Sequence, residues 1–89
     1  MFSRHQHQLE KAAKAGRIDL QKLEPLKSAP EKVLLAAALK RTSSVSNGWL
    51  NDRLQMGTPA SVSQFVRRFL LAGGAADPRF KRIMSKVKT

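Results

Sequence analysis

Apolar residues recur along this chain with a helical period, and most clearly so in its second half. Val62, Phe65, Val66, Phe69 and Leu70 follow the i, i+3, i+4, i+7, i+8 rule of a helix with one buried face. Ala60, Ser61, Ser63, Gln64, Arg67 and Arg68 are left on the other side. Thr58 as cap and Pro59 at the first helical position predict where this helix starts. Gly73 and Gly74 predict where it stops. Just upstream, Val45, Trp49, Leu50, Leu54 and Met56 make the apolar side of a second helix from about 45 to 56, capped by Ser44 or Ser46. Asn51, Asp52 and Arg53 then face outward or sideways. Gly57 should end it, because a residue without Cβ enters the left-handed turn easily. Gly48 costs about 1 kcal/mol against alanine inside a helix, so the true start is near Trp49 or another helix passes close by.

The run VLLAAAL at Val33–Leu39 is apolar on nearly every side and predicts the central, most buried helix. Ser28 or Ala29 caps it, Pro30 takes the first position, Glu31 sits in the first turn, and Lys40 and Arg41 close it. Thr42, Ser43 and Ser44 make the turn. Asp77-Pro78 opens a last helix with Phe80, Ile83, Met84 and Val87 on one face. Residues Ser3 to Leu23 are helix-permissive but weakly patterned, with Leu9, Ala12, Ala13, Ile18, Leu20 and Leu23 scattered and Gly16 dividing them. Glu24 to Ala29 read as a linker around Pro25. No run alternates as a strand would. The expected fold is all-α, a small four- to five-helix domain containing a helix-turn-helix at about 45–70. Residues 1–28 read as an N-terminal helical or partly disordered extension. Residues 29–89 read as the helix-turn-helix domain with a basic C-terminal helix.

Length and charge then narrow the function. A chain of 89 residues is one domain with a modest core. It carries 17 Lys/Arg against 6 Asp/Glu, a net charge of +11. From Thr58 onward there are seven basic residues and one acid, Asp77, so the positive charge is concentrated in the second half. That asymmetry points to a polyanionic partner, nucleic acid above all. There is no cysteine, which removes disulfides and thiolate metal sites and fits a reducing compartment. No apolar run suits a signal peptide or a membrane span. The expectation is a soluble, cytoplasmic, nucleoid-associated protein without a membrane partner.

A helix-turn-helix holds its second helix by an apolar face and offers the opposite, N-terminal face to base edges in the major groove. Here that face begins with the small polar Thr58 and Ser61, which permit close approach. Gln64 has the amide that bridges adenine N6 and N7. Arg67 and Arg68 follow where they reach a guanine or a phosphate, and the free backbone N–H groups at the helix start suit a phosphate. Arg79, Lys81 and Arg82 extend the basic surface onto the last helix. The plainer alternative is a helical hairpin with solvated arginines.

The string VSNGWLNDRLQMGTPASVSQFVRR resembles the C-terminal region of REP-associated tyrosine transposases and related single-tyrosine transposase-like proteins. The likeness runs from about Glu31 to Arg68, with its core in W-L-x-x-R-L-x-M-G-T at Trp49–Thr58, followed by Val62-Ser63. The resemblance implies a helical, DNA-binding accessory region, with Trp49, Leu50, Leu54 and Met56 in the core and Thr58 to Arg68 facing DNA. Two departures stand out. Asn51 occupies the position where alanine is favoured at the helix crossing, and the turn is one residue longer than in compact repressor motifs.

Those transposases cut DNA with a tyrosine and a metal held by a His-hydrophobe-His pair. This chain has no tyrosine, and His5-Gln6-His7 has a glutamine in the middle. Two histidines at i and i+2 on a helix diverge by about 200°, so no metal site is expected. No acid pairs with a histidine in the sequence, and neither enzyme activity, cofactor nor small-molecule substrate is expected. The reading is a non-catalytic double-stranded DNA-binding protein, a regulator of transcription or a transposase-derived remnant. The alternatives are a protein-protein interaction module or homodimer using the Phe65/Phe69 and Phe80/Ile83/Val87 faces, then an RNA-binding helical protein. With one Trp and four Phe, mostly on apolar faces, stacking on single-stranded bases is poorly provided for.

Overall fold

A computed structural model describes residues 4–23, 29–43 and 45–88, Lys88 by its backbone alone. These form five α-helices: α1 (Arg4–Ala15), α2 (Pro30–Thr42), α3 (Asn47–Leu54), α4 (Pro59–Leu71) and α5 (Pro78–Lys88). Single 3₁₀ turns lie at Leu20–Lys22 and Gly74–Ala76, and the described residues contain no strand. The expected all-α class therefore holds. Apart from Ala29, the expected linker lies outside the described residues, as do the cap candidates Ser28 and Ser44.

α2 is the centre. Ala29 is its N-cap, Pro30 its first residue and Glu31 its first-turn acid, and every residue from Lys32 to Leu39 is buried. Burial of each leucine is worth about 1.5–3 kcal/mol. The consecutive Ala36, Ala37 and Ala38 leave room for neighbours on several sides, and α1, α4 and α5 all pack against this helix. The helix closes with the Ser43 N–H donating to the Leu39 carbonyl at 2.9 Å and the Thr42 hydroxyl donating to Ala38 at 2.8 Å. Lys32 is the surprise, a lysine only 2% exposed. Its Nζ donates to the Gln55 carbonyl at 3.2 Å, and burial lowers its pKa from the ordinary lysine value.

α1, part of the stretch set apart as an extension, contributes Leu9, Ala12 and Ala13 to the same buried cluster as α2. It packs on both α2 and α5. Its end is a hydrogen-bonded C-terminal turn, with the Ile18 N–H donating to Ala13 at 2.8 Å and that of Arg17 to Lys14 at 3.2 Å. Gly16 breaks the helix where expected, and for a packing reason: a Cβ there would stand 2.8 Å from Ile83 Cδ1 of α5.

α5 is held at its start by Asp77, whose Oδ1 accepts the N–H groups of Arg79 at 2.8 Å and Phe80 at 3.2 Å. Phe80, Ile83 and Val87 are buried and Met84 partly so. Phe80 meets Phe69 of α4 edge to face, with ring centroids 5.3 Å apart. α2 thus packs on α1, α4 and α5, while α3 packs on α4.

Candidate nucleic-acid interface

α3 and α4 pack on each other and are joined by residues 55–58. Ser46 caps α3, its hydroxyl accepting the Trp49 N–H at 3.1 Å. Gly48 lies in the first turn, where a Cβ would meet only Ser46 Oγ, at 3.9 Å, so no helix presses on it. The helix is shorter than its sequence predicts and ends at Leu54. The residue that takes the left-handed conformation at its end is Gln55 (φ 54°, ψ 63°), not Gly57, which has φ 107° two residues later in the loop.

Three hydrogen bonds explain why a glutamine is held there against a cost of about 1 kcal/mol. The Gln55 N–H donates to the Asn51 carbonyl at 2.7 Å, its carbonyl accepts from Lys32, and the next N–H, of Met56, donates to Asn51 Oδ1 at 3.1 Å. Asn51 is therefore the residue that closes the turn. Met56, expected on the helix, leaves it and still reaches the core, fully buried. Trp49, expected in the core, is only half-buried. It lies edge to face with His5 of α1, centroids 5.7 Å apart, and Arg53 sits 5.4 Å over its ring.

α4 follows its sequence closely. Thr58 is the cap, its Oγ1 accepting the Ser61 N–H at 3.1 Å and lying 3.0 Å from the Ser61 hydroxyl. Val62 and Val66 are buried, and Phe65, Phe69 and Leu70 pack against the core from a half-buried position. Thr58, Gln64, Arg67 and Arg68 are exposed and Ser61 half-buried, so one helix brings these five together and aims them outward. No acid lies on α4. Beside it runs a shallow groove of about 320 Å³ lined by Lys40, Asn47, Ser63, Val66, Arg67, Leu70 and Leu71. Lys40, which the sequence marks only as a helix-closing cation, thus stands on the same groove as Arg67.

Some basic residues of α5 have neighbours on other helices. Arg79 Nη1 lies 3.4 Å from Glu31 Oε2 on α2, a part-exposed ion pair. Lys81 and Arg82 are exposed. Arg82 lines a second groove, of about 410 Å³, with Lys11, Lys14, Ala15, Arg17 and Lys86. Sequence reasoning missed Lys11, Lys14, Arg17 and Lys86. Their spacing on α1 and α5 shows that they can face outward, but nothing local shows that the two ends of the chain meet.

His5 and His7 fall within α1, not on an extended segment, and among the described residues no group of three or more His, Cys, Asp or Glu lies together. No described helix is long and apolar enough to cross a membrane. Comparison of the chain with protein-family models, with curated proteins and with solved structures finds no match.

Proposed function

We propose that this protein is a non-catalytic helix-turn-helix protein that binds double-stranded DNA through α4. The observation that carries the reading is the outward face of that helix: Gln64, Arg67 and Arg68 exposed, no acid among them, on a helix anchored by Val62 and Val66 and capped by Thr58. Gln64 suits an adenine edge and the arginines a guanine or the flanking phosphates. The Thr58 and Ser61 hydroxyls bond to each other, which fixes the start of α4 and leaves one hydroxyl proton for a phosphate oxygen. Lys40 adds charge beside Arg67. The resemblance to the accessory region of single-tyrosine transposases supports the same use of these residues, in a regulator or a transposase-derived remnant that works at the nucleoid.

Titration of a labelled duplex at several salt concentrations tests this. Affinity should fall steeply with salt, and Arg68→Ala should weaken binding and reduce the slope of log K against log salt by about 1. Absence of binding at low salt, or binding indifferent to salt, overturns the reading. A second reading, self-association, is favoured by Leu71, which is 76% exposed at the end of α4. Light scattering of the protein with and without duplex separates a dimer from a DNA-binding monomer.

A further inference from the structure

We infer that the groove between α1 and α5 binds the phosphate backbone of a second duplex, so that the protein joins two DNA segments. Five cations from opposite ends of the chain line it, Lys11, Lys14 and Arg17 on one wall and Arg82 and Lys86 on the other, and none of its lining residues is acidic. Among the described residues, three acids have partners outside the groove. Glu31 holds Arg79, Asp19 accepts the Gln21 N–H at 2.9 Å, and Glu10 accepts from Gln6 at 3.0 Å. Like charges gathered on one surface oppose folding and favour a polyanion.

The backbone at Arg17 is a second, independent observation. Arg17 has φ 58°, the left-handed conformation that glycine adopts without steric cost. The glycine next to it, Gly16, is needed for a different reason, the approach of Ile83. The chain therefore holds an arginine in the left-handed conformation next to the glycine that Ile83 of α5 approaches, on the wall of the groove. A residue kept under strain at a charged concavity is a mark of function.

The groove's form decides the ligand. Its cations are long, exposed side chains and its floor contains Ala15, with no buried donor to fix a small anion. Such a surface reads charge along a line and not the shape of one group. Lys11 to Lys14 spans roughly 4.5 Å of α1 and Arg82 to Lys86 roughly 6 Å of α5, a reach of one to two phosphates on one strand. The groove is built from α1, the turn after it and α5, and it shares no residue with the outward face of α4. Bridging rests on the α4 reading, whereas the groove's own affinity does not.

The test compares Arg17→Gly, Lys11→Glu/Lys14→Glu and Arg67→Ala/Arg68→Ala with the parent protein. The readouts are Tm, duplex affinity, and capture of free labelled duplex on bead-bound duplex. Arg17→Gly should raise Tm by about 4 °C, since it relieves strain and repulsion, and lower the salt slope of duplex binding by about 1. Lys11→Glu/Lys14→Glu should abolish bridging and leave single-duplex binding through α4. An unchanged salt slope in Arg17→Gly together with intact bridging in the charge-reversal variant overturns the groove proposal. So does capture on vesicles of acidic phospholipid without capture on duplex. If the α4 variant binds like the parent while the groove variants lose all binding, the α4 reading falls and the groove stands.

Discussion

The outward face of α4 and the groove between α1 and α5 both present arginine and lysine, but they are assembled over very different distances along the chain. α4 needs only its own cap, Thr58, and two buried anchors, Val62 and Val66, to turn Gln64, Arg67 and Arg68 outward. The groove needs the first and last helices to meet, through Gly16 against Ile83 and through Leu9, Ala12 and Ala13 in the shared core. A face carried on one helix persists when distant packing loosens. A face shared by two helices exists only in the complete fold.

Phe80 is the place to break that arrangement. It is 2% exposed and joins the start of α5 to Phe69 of α4. Phe80→Ala should cost about 3–5 kcal/mol, a large share of the roughly 5–15 kcal/mol by which small domains are stable. Urea unfolding followed by circular dichroism measures it. A loss below about 1 kcal/mol would mean that α5 is not held by this contact, and the groove would lose its second wall.

Lys32 ties α2 to the turn of the other region. Lys32→Ala leaves a cavity and an unpartnered Gln55 carbonyl, and should cost about 2–4 kcal/mol at neutral pH. The pH dependence has a definite sign. Burial holds the folded-state pKa of Lys32 below its unfolded value near 10.5, so in the window between the two the unfolded chain binds more protons. The parent protein therefore gains stability from Lys32 as pH rises through that window, and the penalty of the variant should widen. A gap that narrows toward pH 10 would show that the ammonium is not desolvated in the fold.

These two residues also mark how far the sequence could be read. The central burial of α2, the cap and buried face of α4, and the apolar face of α5 are legible because each is a local period or a cap within a turn of helix. Nothing in the sequence around Lys32 gives it a reason to be buried, and the Gln55 carbonyl, in the turn after α3, supplies one. Gln55 in place of Gly57 as the left-handed residue has the same cause, since intrinsic preference favours glycine and a tertiary hydrogen bond overrides it. Trp49 follows from the apolar side of α3, yet its half-buried place between His5 and Arg53 depends on where α1 lies. The α4 face was visible for the same reason that the α1/α5 groove was not.

Asn51 sharpens the comparison from the side of the turn. A tight helix crossing would favour alanine at this position, while the structure uses the Asn51 side chain to accept the Met56 N–H. Asn51→Ala should destabilise by about 1 kcal/mol, the net worth of one such bond, and weaken duplex binding through α4 by loosening the turn before it. Capture of duplex by the groove should not change. A variant as stable as the parent, or more so, would show that alanine fits this position and that the hydrogen bond adds nothing.

The smallest expected stability effect belongs to Glu31, which sits at the border of the two regions. Its carboxylate faces Arg79 at 3.4 Å with both side chains about a third exposed, 33% and 38%. Such a pair contributes about 0.2–1 kcal/mol, and the acid in the first turn of α2 adds about 0.3–1 kcal/mol through the helix dipole. With both groups part-exposed, each contribution lies at the low end of its range, so Glu31→Gln should lower stability by about 0.5 kcal/mol. It also removes one negative charge beside Arg17 and releases the Arg79 guanidinium, since both residues line the depression that holds Glu31. Duplex capture by the groove should rise severalfold at low salt, and binding through α4 should stay as it was. Because stability and capture move in opposite directions, a variant that merely unfolds cannot imitate the result. Unchanged capture would place the working charge of this protein on α4 alone.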